Sequence, residues 1–405
     1  MSWTDRLSQC RRRAEAYFRS QRLEDGNALV WRNSPAHDVK RYPGHLLYGT
    51  WGGLLGSTLV ESSMLSDGLE RDRMASGLNR FQSADGFFRI PGIPPGAMNG
   101  HDDEYFSFHC TNYALGALDA IGRPPRFPLS FLGPFFDASF TTRWLESRNW
   151  GRPWTEGNTV VNLASFFELE ARGDKANAHA GLERIADWLE EHQDSRTGFW
   201  HSQGVAYLPA MAGAAHLLHV FYSLGRAVPR ANQIVDSCLE RGYPGIRGAC
   251  ADIDLVDILC HLRSYGHRVR AIDKLLRSYL AELLQIQNED GGFCDSYVTP
   301  LVTYGLVTPR DVSATWTTWF RVATIGMIAV LLVPGESGRW HFRKMPGTGF
   351  FHPAPAVGAA QRDGSSVAPA PSAIEEIQLA AIRRTRFLRQ HVTWRVRRLA
   401  GRAAG

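Results

Sequence analysis

Three times the chain closes a helical stretch with a glutamine, a short polar gap, then a glycine and an aromatic residue. The instances are Gln82 to Gly86-Phe87, Gln193 to Gly198-Phe199-Trp200 and Gln287 to Gly292-Phe293. A second marker interleaves with the first: apolar helical runs stop at Gly122, Gly173, Gly225 and Gly266. Such stops recur roughly every 40 to 50 residues, the length of a helix pair, so the chain reads as an array of similar helical units.

Periodicity of 3.6 residues, with polar starts and glycine stops, predicts about twelve helices. They fall near 3–22, 47–65, 67–81, 105–121, 138–148, 157–172, 175–192, 208–224, 229–241, 252–265, 268–287 and 312–333. Strand signals are nearly absent. Alternate units differ in character: 184–193 and 270–287 are charged on one side, whereas 210–225 and 315–333 are mostly apolar. Outer and inner helices of two concentric layers would alternate in this way. The expected fold is therefore all-α, an (α/α)6 toroid of about six helical hairpins over residues 1–335.

From Pro334 the composition shifts to Pro, Gly, Ala and Ser, which reads as a linker over 336–374. A basic amphipathic tail over 375–405 follows. Residues 377–405 hold eight arginines and no acid, which leaves 37 basic against 40 acidic residues in the rest of the chain. Leu388, Val392, Val396 and Leu399 form an apolar stripe there, a pattern that suits an anionic membrane surface; a solvated tail or a protein partner is the alternative. No base-reading motif accompanies the arginines, so nucleic acid is not expected.

The six cysteines are scattered, and the start Met-Ser-Trp-Thr-Asp lacks the pattern of a secretory signal. The longest largely apolar run, Val322–Val333, is twelve residues, short for a membrane span. A cytoplasmic setting is expected, with the tail placing the protein peripherally on the inner face of a membrane.

In a ring of helices the starts of the inner helices surround a common mouth, the natural position for a ligand. Those starts carry Tyr48 and Trp51; Glu104, Tyr105, Phe108 and His109; Trp154, Glu156 and Asn158; Asp252, Asp254 and Asp257; and Trp316 and Trp319. The sharpest feature is Cys250-Ala-Asp-Ile-Asp-Leu-Val-Asp257, three acids in an apolar segment. Asp254 and Asp257 share a helix face, and Asp252 is placed to cap the helix. Two close carboxylates in an apolar wall cannot both ionise cheaply, so one should hold a proton and be able to donate it. The acids Asp102, Asp103 and Glu104 offer a weaker divalent-metal site, and no spacing for zinc occurs. His216 and His219 lie in an apolar run and read as core histidines.

The glutamine, glycine and aromatic endings resemble the repeat of the squalene-cyclase and protein-prenyltransferase superfamily, over roughly residues 45–335. That resemblance implies an α/α barrel. It also implies an Asp-x-Asp-Asp-Thr motif whose general acid protonates an alkene or epoxide in class II terpene cyclases. Asp252-Ile-Asp254 matches the first and third positions; Leu255 and Val256 stand where the family has aspartate and threonine. The implied activity is protonation-initiated cyclisation of an isoprenoid by Asp254, with Asp257 or Asp252 tuning it. No cofactor is implied, magnesium entering only for a substrate that carries a diphosphate. A carbohydrate-active toroid, an epimerase, lyase or hydrolase acting on a glycan, is the alternative, and a non-catalytic toroid binding module is a third reading.

Overall fold

The computed structural model describes residues 2–93, 100–173, 176–201, 203–240 and 245–352. It is mostly helical. Among the described residues twelve α-helices succeed one another: α1 Trp3–Gln21, α2 Leu46–Leu59, α3 Gly68–Asn79, α4 Asp103–Ala120, α5 Ala138–Glu146, α6 Pro153–Ala171, α7 Ala176–Glu191, α8 Tyr207–Leu224, α9 Ala231–Leu239, α10 Ala249–Leu262, α11 Val269–Leu283 and α12 Thr315–Leu332.

The helix starts follow from side-chain capping. Ser2 and Asp5 form a reciprocal capping box on α1, while Asp67, Asp102 and Asp137 accept from free amides at the starts of α3, α4 and α5. The even-numbered helices are covered on nearly every side: all fourteen residues of α2 are buried. The odd-numbered helices bury one stripe, as α11 does through Ile272, Leu275, Leu276, Tyr279, Leu280 and Leu283.

The even-numbered helices pack in a cyclic order. α2 lies on α4, α4 on α6, α6 on α8, α8 on α10, α10 on α12, and α12 returns to α2. The tightest of these contacts, α6 with α8, depends on paired glycines. A Cβ at Gly157 would stand 2.7 Å from the Gly213 carbonyl oxygen, and one at Gly213 would stand 2.5 Å from that of Pro153.

The repeated glutamines stitch one unit to the next. Gln82 donates to the carbonyls of Gly86 within its own turn (3.0 Å) and of Phe127 ahead of α5 (2.9 Å). Gln193 donates to Gly198 (2.7 Å) and to Pro229 ahead of α9 (2.9 Å). Gln287 donates to Gly291 (2.8 Å) and to Cys10 of α1 (3.1 Å), so the third instance ties the last repeat to the first helix.

Two short hairpins depart from the purely helical expectation. β1 Arg22–Asp25 pairs antiparallel with β2 Ala28–Trp31, and β3 Leu301–Thr303 with β4 Leu306–Thr308. Strands of three or four residues are too short to show a period of two, which is why periodicity passes over them.

The expected boundary at 335 also differs. The segment that follows α12 folds back across the body and buries Glu336, Trp340, Met345, Phe350 and His352. The His341 amide donates to the Leu59 carbonyl at the end of α2 (3.0 Å), Arg343 to Ala120 at the end of α4 (2.5 Å), and the Ser165 hydroxyl of α6 to Pro346 (2.8 Å). Three of the even-numbered helices thus meet one strap of chain. The remainder of the expected linker and the whole basic tail lie outside the described residues. α12, at 18 residues and mean hydropathy 1.3, is the one helix among the described residues long and apolar enough to cross a membrane; 83% of it is buried in the body.

Candidate functional site

α10 begins three residues earlier than the sequence suggests, with Gly248 at the cap position. Asp252 therefore stands inside the helix and caps nothing from its start. Its carboxylate accepts from the Arg247 amide (3.0 Å) and pairs with the guanidinium of Arg321, which is fully buried on α12. Burial pushes Asp252 up, and the Arg321 charge opposes that shift. A buried, hydrogen-bonded ion pair of this kind fixes α10 against α12 and leaves Asp252 no free oxygen for chemistry.

Asp254 and Asp257 occupy the same wall but opposite electrostatic surroundings. Asp257 lies between two histidines, with Nε2 of His219 2.9 Å and Nδ1 of His261 3.4 Å from its oxygens. Burial works against its ionisation, yet the histidine charges hold its carboxyl below the usual range. Asp254 is 1% exposed, and neither of its oxygens has a hydrogen-bond partner among the described residues. Burial, reinforced by the charges of Asp257 and Asp252, raises its pKa well above that of an ordinary carboxylate. Such surroundings favour the protonated form, the form that has a proton to donate.

Two phenols of an aromatic cluster, Tyr105 and Tyr113, lie close to this acid. His101, Tyr105 and His109 stack in a ladder at one-turn spacing, with ring centroids 3.8 and 5.6 Å apart. Tyr113 continues the same face of α4, stacked on Trp51 at 4.7 Å and edge-on to Trp319 at 5.5 Å. Tyr48 contacts Trp51 and His109, and Trp316 meets Phe320 edge-on. Although α4 and α10 are not neighbours in the cyclic order, Cys250 and Asp254 lie close enough to Tyr105 and Tyr113 to add to the upward push that burial gives both phenols. Tyr105, His109 and Cys250 are half-buried, whereas Tyr48, Trp51, Tyr113 and Asp254 are buried.

A belt of amides joins the ladder to the histidines. Asn112 donates to Asn162 (2.7 Å), Asn162 donates to Asn158 (2.8 Å), and Oδ1 of Asn158 lies 3.3 Å from Nδ1 of His109 while its amide nitrogen lies 3.4 Å from Nε2 of His216. Burial depresses the pKa of His109 to about 4 and that of His216 to about 3, so both rings are neutral.

Other expected site residues lie elsewhere. Phe108 points away from the ladder into a seam with Phe87, Phe131, Phe135, Trp144 and Phe166, because consecutive residues of a helix are rotated by about 100° and it does not share the face of His109. Glu104 is engaged by Trp144 (2.8 Å) and Arg148 (2.5 Å), and Glu156 lies 3.7 Å from the same arginine. The two glutamates form a rim ion cluster at the starts of α4 and α6. Trp154 is half-buried in the first turn of α6. Asp102 caps α4 and Asp103 is exposed, so the acids proposed for a metal are used locally.

Sequence reasoning passed over Arg321, Asn112, Asn162, Tyr304 and Phe350, and read His219 as simple core. Arg321 carries a usable signal, being the one charge in the apolar run of α12. Comparison with protein-family models, with curated proteins and with solved structures returns no match.

Proposed function

We propose that the cyclic packing of the even-numbered helices forms an (α/α)6 toroid, and that the protein is a terpene-cyclase-like enzyme that starts cyclisation of an isoprenoid by protonation. The observation that carries this reading is Asp254: a fully buried carboxyl without a hydrogen-bond partner among the described residues, its pKa raised by burial, close to the phenols of Tyr105 and Tyr113. In the proposed step the Asp254 proton passes to one carbon of an alkene. The π pair forms the new C–H bond, and the electrons of the O–H bond stay on the carboxylate. The adjacent carbon becomes a cation, which a second alkene attacks to close a ring. Tyr48, Trp51, Tyr105, Trp316 and Trp319 supply π faces that stabilise positive charge as it moves. Neutral His109 is suited to take the final proton. The chemistry needs no redox cofactor, and magnesium would serve only a substrate that carries a diphosphate.

Purified protein incubated with squalene-type alkenes and with isoprenoid diphosphates should yield cyclised hydrocarbon on extraction. Asp254→Asn, nearly isosteric with the neutral acid, should fold normally and lower turnover by about 10²- to 10⁴-fold. Unaltered turnover in that variant would remove the acid from the mechanism.

The belt of Asn112, Asn158 and Asn162 with His109 favours a second reading, a glycan substrate, because it offers more hydrogen-bonding groups than a hydrocarbon uses. Turnover of an oligosaccharide with no isoprenoid product would establish it. A non-catalytic binding module has less support, since it gives no reason to bury an unpaired acid. The basic tail supports a peripheral, membrane-surface location on the cytoplasmic side.

A further inference from the structure

The β3–β4 hairpin joins its strands through the two residues Tyr304 and Gly305, since Thr303 pairs with Leu306. Both central residues have positive φ, 46° and 87°, the pattern of a type I′ turn. Asn-Gly is the favoured pair for such a turn, and a tyrosine at its first position adopts a backbone conformation that large side chains disfavour. Backbone strain of this sort concentrates where a side chain is needed for something other than the turn.

The side chain accounts for it. Although Val302 and Val307 on the same hairpin are exposed, Tyr304 at its tip is buried. Its ring meets Phe106 in the first turn of α4 edge-on at 4.7 Å and Tyr48 in the first turn of α2 edge-on at 5.4 Å. Nε2 of His45, immediately before α2, lies 3.0 Å from the Thr303 carbonyl and 3.1 Å from that of Tyr304, which anchors the tip. The tip therefore spans the starts of two inner helices, above the ladder of Tyr105 and His109.

We infer that the interior site opens at the starts of α2 and α4 and that Tyr304, seated there, determines the size of molecule that can reach Asp254. The inference rests on the interior site proposed above but not on the chemistry assigned to it.

Cys250 gives a readout that requires no turnover. It is half-buried, one turn from Asp254 and close to Tyr105. Of the other five cysteines only Cys260, also half-buried and at the opposite end of α10, is comparably open, and it serves as the internal reference. The full chain is treated with methanethiosulfonates of increasing bulk, from methyl to a large aryl group, and modification is located by mass spectrometry of peptides. In the wild type the methyl reagent should reach Cys250, and the aryl reagent should react there at least tenfold more slowly, each rate taken relative to Cys260. Tyr304→Asn, which restores the favoured Asn-Gly turn and so keeps the hairpin, should abolish that size dependence. Tyr304→Phe should retain it.

Equal rates for large and small reagents in the wild type would overturn the inference, as would an unchanged ratio in Tyr304→Asn or a Cys250 that no reagent reaches in any variant. If the size dependence disappears in Tyr304→Asn but no isoprenoid is cyclised, the gate stands and the cyclase reading falls.

Discussion

Asp254 and Asp257 lie one turn apart on a single helix, and their surroundings drive their carboxyls in opposite directions. The difference comes from their neighbours. Asp257 has two histidines within 3.4 Å, whereas Asp254 has no hydrogen-bond partner among the described residues to compensate a charge. The histidine side of this arrangement sets a pH dependence. His216 is neutral when folded, its pKa lowered to about 3 by burial and by His219 beside it. In the unfolded chain it takes up a proton below about pH 6.5. A group whose pKa is lower folded than unfolded contributes fully above the unfolded value and loses that contribution as pH falls. From pH 7 to pH 5 this residue alone should remove about 2 kcal/mol of stability. His216→Gln, which keeps an acceptor for Asn158, should show correspondingly less loss in urea titrations at the two pH values; identical losses would remove His216 from the account. The pairing of acids was legible in the sequence from their three-residue spacing in an apolar run. The role of Asp252 was not, because its partner Arg321 lies 69 positions away and spacing along one helix carries no information about the next.

Among the elements, the strap after α12 is the one whose composition misleads most. Pro and Gly signal a linker, yet here the chain lies across the ends of α2 and α4 and against α6. Gly116 leaves room for Phe350: a Cβ there would stand 2.5 Å from its ring. Phe350 stacks along Tyr113 at 5.9 Å and meets Trp319 at 5.7 Å, continuing the aromatic face of α4 where that helix runs out of side chains. Phe350→Ala should therefore cost about 3–5 kcal/mol, the usual range for a fully buried phenylalanine, measurable by chemical denaturation. A loss below 1 kcal/mol would mean that the strap is merely laid on the body. The long helices were legible because each is amphipathic or wholly apolar over four or more turns and is bounded by a cap or a glycine. The hairpins and the strap were not, since their structure is imposed by the surfaces they cover.

At the scale of the whole molecule, the basic tail and the folded body make separate claims. If the arginines hold the protein on anionic lipid, deletion of 377–405 should abolish sedimentation with phosphatidylserine vesicles while leaving the melting temperature of the body unchanged. Retained sedimentation would locate the attachment elsewhere. Within the body, the bond from Gln287 to Cys10 and the packing of α12 on α1 and α2 join the two extremes of the helical succession. A nascent chain leaving the ribosome accordingly presents the apolar stripe of α1 (Leu7, Cys10, Ala14, Tyr17 and Phe18) with α2 to cover it but long before α12 has been translated. Contacts of such high sequence separation form late and slowly. For that part of its cover α1 must wait for α12, and during the interval it is open to capture by chaperones or by another unfinished copy.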